Sequence, residues 1–185
     1  MLNHVYYDVQ RWHGDTDLRS VPKAFNTNVI SYINLATLFM PSLQASRGRL
    51  VVVSSGLGRF TYPYFALYCA SKHALHGFFD ALRQDLTFED PGEPAMTITI
   101  AVLGAIVTTK GLEVSEDNPV AGENGWTRFS RVDASRAIVV GSLRRERQLY
   151  FPFGMMLHEL ASFHFPSTMD KLIQYIYGPN LRKER

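Results

Sequence analysis

Ser55, Tyr68 and Lys72 are side chains whose types could act together in proton transfer. Tyr68 and Lys72 lie four residues apart in a stretch with helical periodicity, so they share one helix face. A free tyrosine has a pKa near ~10, and a neighbouring ammonium group favours its phenolate form. Such a phenol can donate or accept a proton. On spacing alone, a surface Tyr–Lys pair on an amphipathic helix is the alternative, and the less favoured one.

The segment before Ser55 predicts where its hydroxyl group lies. Residues 50–53 are purely apolar and mostly β-branched, which is typical of a strand buried on both faces. Ligands bind at the carboxyl ends of such strands in parallel sheets. Gly56 and Gly58 then open a loop. We therefore expect the Ser55 hydroxyl to face a crevice and to hold a carbonyl or alcohol oxygen against Tyr68.

The periodicity of the whole chain indicates an α/β fold. It predicts helices over residues 21–40, 64–88, 134–146 and 155–177, the last broken at Pro166, and strands over residues 1–7, 50–53, 96–103 and 148–151. Pro41 should bend or end the first helix. The alternation favours an incomplete Rossmann-type parallel sheet of about four strands. Residues 110–131 should form a mobile loop, and the C-terminal helices should pack beside the carboxyl ends of the strands.

Composition narrows the class of protein. The chain has 185 residues, 46% hydrophobic and 19% charged, as expected for a folded domain. We treat residues 1–185 as one domain, with a catalytic core over 1–110 and a substrate loop and C-terminal helices over 111–185. The net charge is +2, and Glu146 and Glu184 interrupt the basic clusters, so we expect no nucleic-acid partner. The single cysteine, Cys69, excludes an internal disulfide. We expect no signal peptide in residues 1–8 and no membrane span in the longest apolar stretch, residues 29–43.

Several segments resemble the short-chain dehydrogenase/reductase family, and within it the hydroxysteroid dehydrogenase branch. The central ones are Val51-Val52-Val53-Ser54-Ser55 and Tyr68-Cys69-Ala70-Ser71-Lys72. The others are Leu2-Asn3-His4-Val5, Asn26-Thr27-Asn28-Val29, Tyr62-Pro63, and Val102-Leu103-Gly104 with Thr108. The resemblance covers residues 2–110 well and continues more loosely to residue 177.

The resemblance implies a mechanism and a site. NADP(H) would exchange a hydride with a carbonyl or alcohol carbon, and Tyr68 would move the proton of the oxygen. Lys72 would lower the Tyr68 pKa and hold the nicotinamide ribose, while Ser55 would position the substrate oxygen. Asn28 would anchor a water molecule that joins Lys72 to solvent. Further implied contacts are Asn3, His4, Val5, Ile106 and Thr108 with the cofactor, and Tyr62 and Leu103 with a steroid or similar lipid. A homodimer through the two long helices and a location in the secretory pathway are also implied.

The chain departs from the family at the phosphate site. The family binds pyrophosphate with a strand, a glycine-rich turn and a helix N-terminus. Gly56 and Gly58 follow a strand but lack the third glycine of that motif, so we interpret them as substrate-loop glycines. The chain is expected to begin inside the family's fourth strand, leaving residues 1–7 as an exposed edge and weakening cofactor binding. The alternatives are an impaired, truncated form acting only by dimerisation, and a binding module without catalysis.

Other residues suggest weaker hypotheses. His73 and His76 are three apart, and His158, Glu159 and His164 lie close in sequence without the H-E-x-x-H spacing, so we expect no metal site. An apolar stretch near the C-terminus could fill the core, line a substrate mouth or rest on a membrane surface. The core is the favoured interpretation for its members, Phe151, Phe153, Met155, Met156, Phe163 and Phe165.

Overall fold

A computed structural model describes residues 1–6, 9–89, 92, 94–106 and 129–181. Within these ranges the helices are α1 (Ser20–Phe25), α2 (Ser31–Ala45), α3 (Ala66–Glu89), α4 (Arg131–Leu143), α5 (Gly154–His164) and α6 (Pro166–Leu181). A π-helical segment, Asn26–Ile30, joins α1 to α2, and a 3₁₀ turn, Gly56–Gly58, precedes α3. The strands are β1 (Arg49–Ser55), β2 (Thr97–Leu103) and β3 (Gln148–Phe151).

The three strands form a parallel sheet in the order β1-β2-β3. The register places Val52 beside Ile100, and Ile100 beside Gln148. β1 and β2 are buried over five consecutive positions each, as their apolar runs predict. Parallel strands need helical crossovers, which α3 and α4 supply. The α/β class and the parallel sheet expected from the sequence are therefore confirmed.

The core lies between the sheet and the helices α2 and α3. Alternate residues of the strands point to one face, where they meet buried side chains of both helices. The cluster contains Leu50, Val52, Ile98, Ile100, Val102, Tyr32, Ala36, Leu75, Phe79 and Leu86. This packing fixes α3 against the carboxyl end of β1, which is where the sequence places Ser55.

The expectation of a strand over residues 1–7 is wrong. Leu2 forms an isolated parallel bridge to Val52, with hydrogen bonds to the main chain of Val51 and Val53. After Leu2, side chains from the helical segments form hydrogen bonds with the main-chain N–H and C=O groups that a strand would pair with its neighbour. Tyr32 Oη bonds to the N and O of His4, and the Asn28 amide bonds to the N and O of Tyr6. The described sheet accordingly has three strands, where about four were expected.

Pro41 does not end α2, which continues to Ala45 with the proline inside it. Pro41 is exposed, so water can satisfy the carbonyl group that its missing N–H leaves free. The described residues include no helix long and apolar enough to cross a membrane.

The aromatic stretch near the C-terminus does not fill the core as expected. Phe153, Phe163 and Phe165 are each more than 60% exposed. They lie at the ends of α5, outside the contact between the sheet and the helices α2 and α3. Residues 110–128, most of the expected mobile loop, lie outside the described residues.

Candidate active site

Lys72 is buried where α3 crosses the end of β1. Its side chain is 2% exposed, and Nζ donates a long hydrogen bond of 3.4 Å to the carbonyl oxygen of Val53. Burial lowers the pKa of Lys72 to about 8, because the charged form loses its hydration. One turn further along α3, His76 Nε2 lies 2.9 Å from Ser54 Oγ. These two contacts tie the strand end that carries Ser55 to the helix that carries Lys72.

Tyr68 and Lys72 share one face of α3, as their spacing predicts. Lys72 Nζ lies 5.8 Å from the centroid of the Tyr68 ring and 5.5 Å from that of Tyr32. Both distances fall within the range in which an ammonium group is attracted by an aromatic ring. Tyr68 also packs against a buried cluster that includes Leu57 and Phe60, the residues that follow Ser55 in the chain. A buried cation and a partly buried phenol therefore lie side by side near the end of β1.

Asn28 lies in the π-helical segment and is fully buried. Its Oδ1 accepts from the main-chain N–H of Tyr6 at 2.6 Å, and its Nδ2 donates to Tyr6 O at 2.8 Å and to Ser71 Oγ at 2.9 Å. Ser71 Oγ in turn donates to the carbonyl oxygen of Tyr68 at 2.8 Å. The Asn28 side chain thus joins the N-terminal segment to the turn of α3 that carries Tyr68. π-Helical turns are frequent at functional sites.

A cavity of about 270 Å³ lies at the carboxyl ends of β1 and β2. Ser55, Tyr62 and Leu103, the three residues expected to contact substrate, all line it, whereas Tyr68 and Lys72 are not among its lining residues. Helices α5 and α6 close it with Met155, His158 and Tyr177, which agrees with the predicted place of the C-terminal helices. The remaining lining is mainly apolar and includes Leu57, Phe60, Phe129 and Pro152. This volume lies just below the usual range for small-molecule sites, which begins at about 300 Å³.

Ser55 is one of the polar residues that line this cavity. Its Oγ accepts a hydrogen bond from the N–H of Leu57 at 3.2 Å, which caps the 3₁₀ turn. The hydroxyl hydrogen stays available for a second acceptor. The neighbouring Tyr62 is half-buried, and burial raises its pKa, so its phenol is neutral at physiological pH. The cavity therefore offers a hydrogen-bond donor in an apolar, uncharged setting.

The residues expected near a cofactor are only partly positioned by the structure. His4 is held by Tyr32 and Ser31, and burial lowers the pKa of its imidazole, with the nearby Lys72 charge adding to the shift. Val5 and Asn3 are exposed beside it. Ile106 forms a parallel bridge with Phe129. Thr108 lies outside the described residues.

The two loop glycines make room for protein side chains. A Cβ on Gly56 would lie 2.6 Å from Phe60 Cζ, and one on Gly58 would lie 2.6 Å from His76 Cδ2. Gly56 lines the cavity, whereas Gly58 packs against α3, and the role of both as substrate-loop glycines stays a prediction. Neither forms a strand–turn–helix cradle for phosphate. The described residues therefore supply no glycine-rich turn for pyrophosphate. Lys72 Nζ, a buried donor with one long hydrogen bond to the protein, is a group that suits a ribose hydroxyl.

Sequence reasoning missed three residues of this region. Tyr32 places its ring near Lys72 and its hydroxyl on His4, and its spacing of four from Asn28 could have indicated a shared face. The contact of His76 with Ser54 has no sequence signal. His158 was considered only as a metal ligand, yet it lines the cavity. Within the described part of the chain, no three His, Cys, Asp or Glu side chains are grouped closely enough to hold a metal ion.

The family model for short chain dehydrogenases matches residues 10–118. This match covers more than half of the chain, so the chain belongs to the short-chain dehydrogenase family. The resemblance noted from Ser55, Tyr68 and Lys72 is thereby confirmed at the level of the family.

The names of the curated relatives are more specific than that of the family. The chain is 33% identical over 183 residues to a hydroxysteroid 11-beta-dehydrogenase 1-like protein of Xenopus tropicalis, a match that spans 97% of this chain and 60% of the relative. It is 34% identical over 154 residues to the protein of that name from Gallus gallus, spanning 83% of this chain and 50% of the relative. The chain thus spans about half to three fifths of the length of these relatives.

Solved structures agree on the fold. A short chain dehydrogenase from Burkholderia cenocepacia, solved in complex with NADP, matches with a TM-score of 0.72 and 16% identity, covering 92% of this chain and 65% of that one. A short-chain dehydrogenase from Streptomyces avermitilis matches with a TM-score of 0.67 and 18% identity, covering 94% of this chain and 66% of that one. At such identities the likeness supports the Rossmann-type fold alone.

Proposed function

We propose that this protein is an NADP(H)-dependent oxidoreductase that interconverts hydroxyl and keto groups on a steroid or similar lipid. One observation carries the proposal: the Lys72 ammonium group is buried beside the Tyr68 ring at the strand end that presents Ser55 to an apolar cavity. The position destabilises a purely structural lysine, since burial lowers its pKa and its contacts among the described residues are one long hydrogen bond and two aromatic rings rather than a carboxylate. A buried cation beside a phenol is the arrangement that favours a phenolate.

Each residue would then have one role in the reaction. The Ser55 hydroxyl donates to the substrate oxygen and holds it in the cavity. Tyr68 gives the oxygen its proton during reduction and takes it back during oxidation. The positive charge of Lys72 stabilises the phenolate that remains. Asn28 fixes the turn of α3 that carries Tyr68, through Ser71.

NADP(H), when bound, would supply or accept the hydride. Lys72 and the N-terminal segment around His4 would hold its nicotinamide-ribose end. We expect this chain alone to bind NADPH weakly or not at all, since the described residues lack the glycine-rich turn that receives pyrophosphate. Titration with NADPH, followed by the fluorescence of Trp12 and Trp126, measures this affinity. Saturation at micromolar concentrations would show the expectation to be wrong.

The reaction is tested with Tyr68→Phe, which removes the hydroxyl and retains the ring. NADPH oxidation by a keto-steroid should fall about 10²- to 10⁴-fold, the usual contribution of a positioned acid. Tyr175→Phe is the matched control, because Tyr175 is 82% exposed on α6 and should leave the rate unchanged. Equal rates for wild type and Tyr68→Phe would refute the role of Tyr68. A folded wild type without NADPH-dependent turnover would refute the activity of this chain and leave the alternative of an impaired, dimerising form.

We also infer a homodimer through α2 and α3. Leu38 and Phe39 on α2 and Phe88 on α3 are exposed apolar side chains. Sedimentation of the wild type and of a Leu38→Glu/Phe39→Glu variant would test this, with a monomeric wild type as the contrary result. Resemblance to the family further suggests a location in the secretory pathway, which imaging of the tagged protein would check.

A further inference from the structure

His158 brings a second polar group to the cavity that Ser55 lines. It comes from α5, whereas Ser55 ends β1, so the two reach the cavity from different elements. The His158 ring centroid is 4.0 Å from that of Phe60 and 5.6 Å from that of Tyr62, with an angle of 27° to the Tyr62 ring. These two aromatic contacts hold the imidazole in a defined plane against the loop that follows β1.

The backbone that carries His158 is anchored by its neighbour Glu159. Glu159 Oε2 accepts a hydrogen bond of 2.7 Å from the Tyr150 hydroxyl on β3. Glu159 Oε1 also lies 3.8 Å from Arg59 Nε, and Arg59 pairs with Asp80 on α3 at 3.0 Å. These contacts join the helix that carries the imidazole to β3 and to the segment that follows β1.

The His158 Nε2 atom is buried and has no hydrogen-bond partner among the described residues. Burial also lowers the pKa of this imidazole, so the ring is neutral at physiological pH. A neutral imidazole can donate or accept, depending on its tautomer. Buried polar atoms are nearly always satisfied, and one left unsatisfied beside a cavity calls for a partner within that cavity. As the ring stands, Nε2 has almost no accessible surface, so a ligand in the cavity would meet it after a half-turn of the ring about its Cβ–Cγ bond, which exchanges the positions of Nε2 and Cε1 and retains the stack.

We propose that His158 is a specificity-determining residue that hydrogen-bonds a second oxygen of the substrate. The preferred substrates would then be rigid apolar lipids with two oxygen functions, one held by Ser55 and the other by His158. This inference rests on the proposed function, since it takes the cavity to be the substrate site. Other apolar side chains that line the cavity, Leu57, Leu103 and Met155, would contact the hydrocarbon skeleton. A purely apolar wall at residue 158 would not distinguish a hydroxylated lipid from its deoxy analogue in this way.

The test measures binding by equilibrium dialysis of the full chain, with two radiolabelled steroids of the same skeleton. One is androstan-17-one, and the other is 3-hydroxyandrostan-17-one, which adds a second oxygen. We expect wild type to bind the hydroxylated steroid about tenfold more tightly or better, because a site that hydrogen-bonds a hydroxyl rejects the analogue that lacks it. His158→Phe retains the aromatic stack and should bring the ratio of the two affinities to about one by weakening the hydroxylated steroid alone. His158→Gln retains a polar end and should restore part of the preference.

Each other outcome overturns the inference. It is wrong if wild type binds both steroids equally, if His158→Phe retains the wild-type preference, or if neither steroid binds. Circular dichroism establishes that each variant is folded, and His158→Gln decides the case should His158→Phe unfold. Dialysis requires no turnover, so the proposed reaction is judged separately by NADPH oxidation with wild type and Tyr68→Phe. Steroid discrimination without turnover would contradict the reaction and keep the role of His158, whereas turnover without discrimination would do the reverse.

Discussion

The buried ammonium group of Lys72 should lower the stability of the folded protein at neutral pH. Burial shifts its pKa from 10.5 to about 8, which at ~1.4 kcal/mol per pKa unit corresponds to roughly 3 kcal/mol. The contacts of Nζ with the Tyr32 and Tyr68 rings oppose this by about 1 kcal/mol. Desolvation is the larger effect. Lys72→Met, which keeps an unbranched apolar stem, should therefore stabilise the fold by roughly 2 kcal/mol at pH 7.

The effect has a defined dependence on pH. Lys72 has a lower pKa in the folded state than in the unfolded state, so between about pH 8 and 10.5 the unfolded chain binds more protons. The free energy of unfolding of wild type should rise across that window as the folded lysine becomes neutral. Below about pH 8 both states are protonated and the full destabilisation is present. Lys72→Met lacks this titration, so its advantage over wild type should shrink as pH rises through the window.

Urea denaturation followed by far-UV circular dichroism at intervals from pH 7 to 10.5 measures both quantities. The difference between variant and wild type removes the contributions of other titrating groups, because they are common to both proteins. Lys171→Met is the control, since Lys171 is exposed on α6 and should match wild type throughout. A Lys72→Met variant less stable than wild type at pH 7, or a difference constant over the whole pH range, would refute the reasoning.

Two further predictions concern the packing between β1 and α3. Gly58→Ala should destabilise the fold by about 1–3 kcal/mol, because its Cβ would lie 2.6 Å from His76 and 3.0 Å from the Lys72 carbonyl oxygen. Gly77→Ala should instead stabilise the fold by about 1 kcal/mol, because Gly77 lies on α3 with open space around the added Cβ. Thermal unfolding measures the change in stability of each variant relative to wild type. Changes of the same sign in both variants would contradict the close packing of Gly58 against α3. Ser54→Ala should cost about 1–3 kcal/mol by leaving His76 Nε2 buried without a partner, and the double variant Ser54→Ala/His76→Phe should recover most of the loss. A double variant as unstable as the sum of its parts would show that the hydrogen bond is not the cause.

Patterns local in the chain predicted the elements well. The apolar, β-branched run at residues 50–53 and the alternating run at 96–103 become β1 and β2, because a strand buried on both faces needs such residues. The four-residue spacing of Tyr68 and Lys72 placed both on one helix face before any fold was known. The break at Pro166 separates α5 from α6, since proline removes a helical donor. Such features depend on neighbours within one or two turns.

Features that depend on distant segments were predicted poorly. Residues 1–6 have the composition of a strand, but Tyr32 and Asn28, more than twenty residues away, take the backbone groups of His4 and Tyr6. Pro41 remains inside α2 because that side of the helix faces solvent. Periodicity shows which faces are apolar, but it does not show which side chain competes for a main-chain hydrogen bond.

The sequence by itself determined the family, the α/β class and the side chains that could carry the chemistry, because these follow from residue types and short spacings. Only the tertiary structure decided that Lys72 is almost fully buried, that His76 meets Ser54, and that His158 shares a cavity with Ser55. Charge, hydration and hydrogen bonding depend on what surrounds a group in space. Those surroundings are assembled from β1, α3 and α5, which are remote in the chain and are brought together only by packing of the core.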